Sequence, residues 1–209
     1  MNRFITLAGA LLLAWPAFAG GGLWNEDGDA GPLPPGQMTM GEGSLDFISG
    51  SLSSTDLEDM YCITITDEEH FSATTVGGAD FDTQLFLFDA NGMGVAFDDD
   101  DPGGGSLQSR LSSAFVTSNG TYYLAISNYD HDATSAGGEI WADSPFGVER
   151  APDGPGAGSP ISGWGGSGGS GSSYRMSLTG ASYCTVPEPA TFVAIGLGLA
   201  ALAASRRRR

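Results

Sequence analysis

The sequence predicts an all-β chain, an antiparallel β-sandwich or jelly roll of about eight or nine short strands. Three observations carry that expectation. Short apolar runs recur between turn residues from Ser44 onward, two Asn-Gly pairs separate apolar runs, and no window sustains a helical period. The 209 residues include 33 glycines and 11 prolines, and the 41% hydrophobic fraction suffices for one core. Helical bundles do not fit this composition.

Residues 1–19 read as a secretory signal peptide. Met1-Asn2-Arg3 supplies a positive start, Phe4 to Trp15 a short apolar run, and Ala17-Phe18-Ala19 a small-residue site for signal peptidase. Residues 20–43, with Gly20-Gly21-Gly22, Gly31-Pro32 and Pro34-Pro35-Gly36, read as an acidic Gly/Pro linker before a body spanning 44–184.

Within the body, Leu45–Ile48 is a weak strand. Met60–Thr66 alternates, with Tyr61, Ile63 and Ile65 on one face and Cys62, Thr64 and Thr66 on the solvent side. Phe71–Val76 follows, and Leu85–Phe88 is apolar on both faces, as expected of a central strand. Asn91-Gly92 predicts a hairpin to Val95–Phe97, and Asn119-Gly120 another between Leu111–Thr117 and Thr121–Ser127. That last strand places Tyr122, Leu124 and Ile126 inward and Tyr123, Ala125 and Ser127 outward. Glu139–Trp141 and Tyr174–Thr179 complete the set. Between them, residues 152–173 read as a Gly/Ser-rich loop, with nine glycines in 154–171. Trp164 stands alone there, either packed back on the fold or carried as a contact residue on a mobile arm.

The C-terminus reads Thr185-Val186-Pro187-Glu188-Pro189, then small and aliphatic residues from Ala190 to Ser205, then Arg206, Arg207, Arg208 and Arg209. That apolar run is marginal against the roughly 20 residues a lasting membrane anchor needs. The arginine block favours the cytoplasmic side and places the body outside. In this order the elements resemble the PEP-CTERM sorting tail. The resemblance implies a hydrophobic sorting helix, transient membrane insertion, and processing by an exosortase near Pro187-Glu188-Pro189.

Four segments in order also resemble bacterial pre-peptidase C-terminal domains. They are Asp56-Leu57-Glu58-Asp59-Met60-Tyr61-Cys62-Ile63, Leu85-Phe86-Leu87-Phe88-Asp89-Ala90-Asn91-Gly92, Phe97-Asp98-Asp99-Asp100 and Gly120-Thr121-Tyr122-Tyr123-Leu124. The glycine-rich insertion and the longer aspartate run depart from that pattern. The resemblance implies a β-sandwich accessory module, some of whose relatives bind matrix polymers or calcium.

The chain has no lysine, and between Arg3 and Arg206 only three arginines stand against 25 acidic residues. So acidic a surface repels phosphate backbones and excludes nucleic acid as a partner. His70 and His131 lie in acidic, loop-like settings without zinc-protease spacing and read as solvated surface residues. Gly165 to Gly169 formally fits G-x-S-x-G, but inside a Gly/Ser tract it is no nucleophile elbow. No catalytic residue emerges.

Asp98, Asp99, Asp100 and Asp101 form the sharpest charge feature. Their mutual repulsion is relieved by a hard cation such as Ca2+, with Asp80, Asp82, Asp130 and Asp132 as outside ligands, or else by water in a solvated loop. Cys62 and Cys184, the only cysteines, lie in an exported chain and are candidates for one disulfide. The expected function is a non-enzymatic surface or extracellular-matrix protein associated with exopolysaccharide. The alternatives are a secreted hydrolase built on scattered carboxylates and a purely structural envelope component.

Overall fold

Alternation of apolar side chains along two strands organises the whole body. The computed structural model describes residues 21–184, and the signal-peptide and sorting-tail residues named above lie outside that range. In chain order the strands are β1 (Leu23–Asn25), β2 (Gln37–Met38), β3 (Phe47–Ser51), β4 (Glu58–Ile65) and β5 (Ser72–Thr74). Next come β6 (Thr83–Asp89), β7 (Gly94–Asp98), β8 (Arg110–Leu111), β9 (Gly120–Asn128) and β10 (His131–Ser135). The last four are β11 (Gly138–Glu139), β12 (Ile161–Gly166), β13 (Ser173–Thr179) and β14 (Ala181–Tyr183). They make 14 strands rather than eight or nine, because short backbone-paired segments without an apolar pattern add to those that have one.

The strands form three sheets, ordered β1-β3-β13-β5-β8, β14-β4-β9-β6-β7 with β2 beside β4, and β11-β10-β12. Most pairs are antiparallel; β1 with β3 and β2 with β4 are parallel. The predicted inner faces hold. Tyr61, Ile63 and Ile65 of β4 and Tyr122, Leu124 and Ile126 of β9 meet Ile48, Met176 and Leu178 in one core. The other face of the central sheet is also covered: Phe86, Phe88 and Ala125 pack with Ala133, Ile140 and Trp141 in a second core. Ala125 and Ser127, predicted outward, are therefore fully buried. The double coverage explains why Leu85–Phe88 is apolar throughout; burying each side chain contributes roughly 1.5–3 kcal/mol.

Three segments depart from their predicted roles. The stretch expected to be a linker is held against the body, with Trp24 Nε1 donating to Gln37 Oε1 at 2.8 Å and Glu26 N to Ser49 O at 2.8 Å. Asn91-Gly92 does turn β6 into β7, but Asn119-Gly120 closes no hairpin. There the chain leaves β8 in one sheet, makes a 3-10 turn at Ser113–Phe115 capped by Ser112, and enters β9 in the central sheet.

The predicted Gly/Ser loop contains β12, which pairs with β10 through His131↔Gly166, Asp132↔Gly165 and Ala133↔Trp164. Main-chain pairing makes this strand, so its sequence carries no side-chain period. Gly166 is required there: its φ is +99°, and a Cβ would lie 2.0 Å from the Asp130 carbonyl oxygen.

Cys62 and Cys184 form a disulfide with their Cα atoms 5.5 Å apart. Cys62, on the predicted solvent phase of β4, is buried beneath the chain end that it bonds. Thr39 locks the same place, donating to Cys62 O at 2.7 Å and accepting from Cys184 N at 3.0 Å.

Candidate functional site

The β6–β7 hairpin carries acidic residues at the end opposite its Asn91-Gly92 turn. Asp82 precedes β6 and Asp99 and Asp100 follow β7; the last register pair, Leu85↔Asp98, brings the two flanks together. Carboxylate oxygens of Asp82, Asp99 and Asp100 lie within 4.8 Å of one another.

The aspartate run does not act as one set. Asp98 is fully buried and outside the converging group; its Oδ2 accepts from the Arg110 backbone N at 2.6 Å, its Oδ1 has no donor, and burial pushes its pKa up to about 8. Asp101 accepts from Arg110 Nε at 3.0 Å. Asp99 is 3% exposed, and its buried Oδ1 has no hydrogen-bond donor. Burial, and then the charges of Asp82, Asp100 and Asp132, push Asp99 up to about 7, with Arg150 opposing. Asp82 has a donorless buried Oδ1 as well, and burial with the charge of Asp100 raises it to about 6.

Of the other predicted ligands, Asp82 joins the cluster, while Asp80 is exposed and outside it. Asp132 accepts from Gln84 Nε2 at 3.0 Å and converges with Glu139 and Asp143 in an adjoining acidic group. Asp130 adopts a left-handed φ of 57° and accepts from the Ser167 hydroxyl. Asp99, Asp130, Asp132 and Asp143 line a cleft of about 130 Å³ together with Tyr129 and Phe146. These two aromatic side chains are 47% and 44% exposed. Both are tied to the cluster by backbone: Tyr129 N donates to Asp82 O, and Asp100 N to Phe146 O, each at 3.2 Å.

Sequence reasoning missed Tyr129, Phe146, Glu139 and Asp143. Phe146 had a signal, a lone aromatic between Pro145 and Gly147, and Tyr129 directly precedes the acidic turn Asp130-His131-Asp132.

A second acidic group, Glu26, Asp56 and Asp59, joins the N-terminal segment to the start of β4. Asp59 is fully buried, its Oδ2 accepts from Tyr174 OH at 2.5 Å, and its Oδ1 lacks a donor. Burial, then the Glu26 and Asp56 charges, hold Asp59 well above the ordinary carboxylate range, with the Tyr174 hydrogen bond opposing. Asp99 has no comparable side-chain hydrogen-bond partner.

Beside that group, Asp56, Glu58, Leu33, His131 and Trp164 line a cleft of about 440 Å³. His131 is only 8% exposed, contrary to the expectation of a solvated residue. Its Nε2 meets Glu58 Oε2 at 2.7 Å, and its ring stacks on Trp164 with centroids 5.8 Å apart. His70 is exposed and pairs with Asp67. Trp164 packs back on the fold, edge-on to Phe86 at 5.1 Å, with Nε1 donating to Pro32 O at 2.6 Å.

Beyond Cys184 the chain continues directly into its C-terminal segment. Residues 185–209 match the PEP-CTERM protein-sorting motif. The motif implies an exported protein with a C-terminal membrane-anchoring tail processed by exosortase. No curated protein matches the chain. Among the described residues no helix is long and apolar enough to cross a membrane, and the sorting motif lies outside them.

Proposed function

We propose that this exosortase-processed chain is a non-enzymatic surface or extracellular-matrix protein whose β body associates with extracellular polysaccharide. The observation that carries the reading is the cleft beside the aspartate cluster, which two half-exposed aromatics, Tyr129 and Phe146, line together with carboxylates on an exported body. Aromatic faces stack on sugar rings, and the carboxylates accept hydrogen bonds from hydroxyls. The order of motifs shared with pre-peptidase C-terminal domains supports an accessory role, and both histidines are engaged with carboxylates rather than with a nucleophile.

The test is co-sedimentation of the exported full chain, in mild detergent, with exopolysaccharide of the producing cells, once in calcium and once in EDTA. Binding in at least one buffer, reduced about tenfold by Tyr129→Ala with Phe146→Ala, is the expected result. Absence of binding in both buffers overturns the polymer reading and favours a purely structural envelope role.

A further inference from the structure

The aspartate cluster contains a charge problem that the protein's own donors do not solve. Asp82, Asp99 and Asp100 bring carboxylate oxygens within 4.8 Å, yet buried Oδ1 atoms of both Asp82 and Asp99 receive no hydrogen bond. Burying an unpartnered carboxylate is expensive, and placing two more beside it adds repulsion. Arg150 offsets part of this, but its Nη1 and Nη2 are committed to Asp153 and to the Ser144 and Ala142 carbonyls, and its buried Nε donates to no carboxylate of the cluster. Asp59 at least accepts from Tyr174 OH through its Oδ2, whereas no side-chain donor reaches Asp99.

We propose that Asp82, Asp99 and Asp100 form a divalent-cation site of the calcium class, positioned by the open end of the β6–β7 hairpin. The donor set is all oxygen and anionic, which selects hard cations over zinc or copper. Three carboxylates leave part of a six- to eight-coordinate shell to water or to an outside oxygen ligand. The frame is set before the ion arrives: Asp82 O and Asp100 N are fixed by Tyr129 and Phe146, and Asp101 N donates to Gln108 O at 2.8 Å. Asp98, whose buried Oδ1 also lacks a donor, and Asp101 belong to the frame rather than to the ion, since both accept from Arg110 and neither converges with the other three carboxylates. The proposal concerns the metal alone and stands whether or not the polymer reading does.

The test is calorimetric titration of the EDTA-treated full chain in mild detergent with Ca2+, alongside thermal unfolding with and without the ion and no polysaccharide present. Wild type is expected to show saturable binding and a rise in Tm. Asp99→Asn removes the repulsion together with a ligand. It is therefore expected to weaken Ca2+ binding at least about tenfold while leaving the EDTA Tm unchanged or higher. Asp100→Asn, at a less buried position, serves if Asp99→Asn fails to fold. Glu26→Gln and Asp56→Asn, from the acidic group at the start of β4, are expected to leave this binding event intact. No saturable heat with wild type, or loss that follows Glu26→Gln or Asp56→Asn instead of the cluster variants, overturns the proposal.

Discussion

Cys184, the last residue before the sorting motif, is bonded to Cys62 on β4, with the two Cα atoms 5.5 Å apart across a sequence separation of 122 residues. The body is thereby closed at its C-terminal end upstream of the segment that is processed. Thr39 hydrogen-bonds to the backbone of both cysteines, so the N-terminal segment takes part in the same closure.

Removing that bond is expected to cost about 5 kcal/mol in the chain-entropy account, because the loop it closes is long. Cys62→Ser with Cys184→Ser therefore lowers Tm by roughly 10–20 °C for a body of this size, measured by thermal unfolding. A loss of only a degree or two would mean that the Thr39 bonds and β14 pairing hold the end without the disulfide.

Trp164 should behave as a structural residue and not as a free arm. It contacts Phe86 and His131 and donates to Pro32 O, linking β12 to the central sheet and to the N-terminal segment. Trp164→Ala is expected to destabilise the body by roughly 2–4 kcal/mol in denaturant unfolding. An unchanged midpoint with weakened polymer binding would instead make Trp164 a contact residue.

Where the sequence was informative, side chains carried a period. Tyr61-Ile63-Ile65 and Tyr122-Leu124-Ile126 alternate because one face meets the first core, and Leu85–Phe88 is continuous because both faces are covered. β12 was illegible because Gly163, Gly165 and Gly166 contribute main chain and almost no side chain. The aspartate cluster was half legible. The aspartate run and Asp82 were visible as residues, but the engagement of Asp98 and Asp101 by Arg110 depends on a long-range approach of β8 to β7. The Asn119-Gly120 turn misled for a related reason: the pair permits a hairpin, and the sheets on either side decide whether one forms.

Buried Asp59 predicts a pH dependence of stability. In the unfolded chain Asp59 titrates near 3.8, and in the folded body burial raises it to about 8. Between those values the folded state holds the extra proton, so this group's contribution falls as pH rises and is lost above about 8. Denaturant unfolding in EDTA should show a lower midpoint at pH 8 than at pH 5.5. Asp59→Asn keeps an acceptor for Tyr174 and cannot ionise, and should flatten that decline. A slope unchanged in Asp59→Asn would assign the dependence to other carboxyls.

The four adjacent aspartates should separate by substitution, because each has a different neighbour. Asp98 Oδ2 satisfies the Arg110 backbone N inside the fold, so Asp98→Ala leaves that donor without its partner and is expected to cost roughly 1–3 kcal/mol. Asp98→Asn retains an acceptor oxygen and removes a charge that burial already disfavours, so it should remain close to wild type at pH 7. Asp101 faces Arg110 in a pair whose arginine side chain is half exposed, and Asp101→Asn should change stability by at most about 1 kcal/mol. Neither asparagine variant is expected to shift the calcium midpoint more than about threefold, since neither side chain belongs to the converging cluster. A loss of binding in Asp101→Asn equal to that in Asp99→Asn would instead place the ion on the outer half of the run, beside Arg110, where the cation and the guanidinium would compete for the same carboxylate.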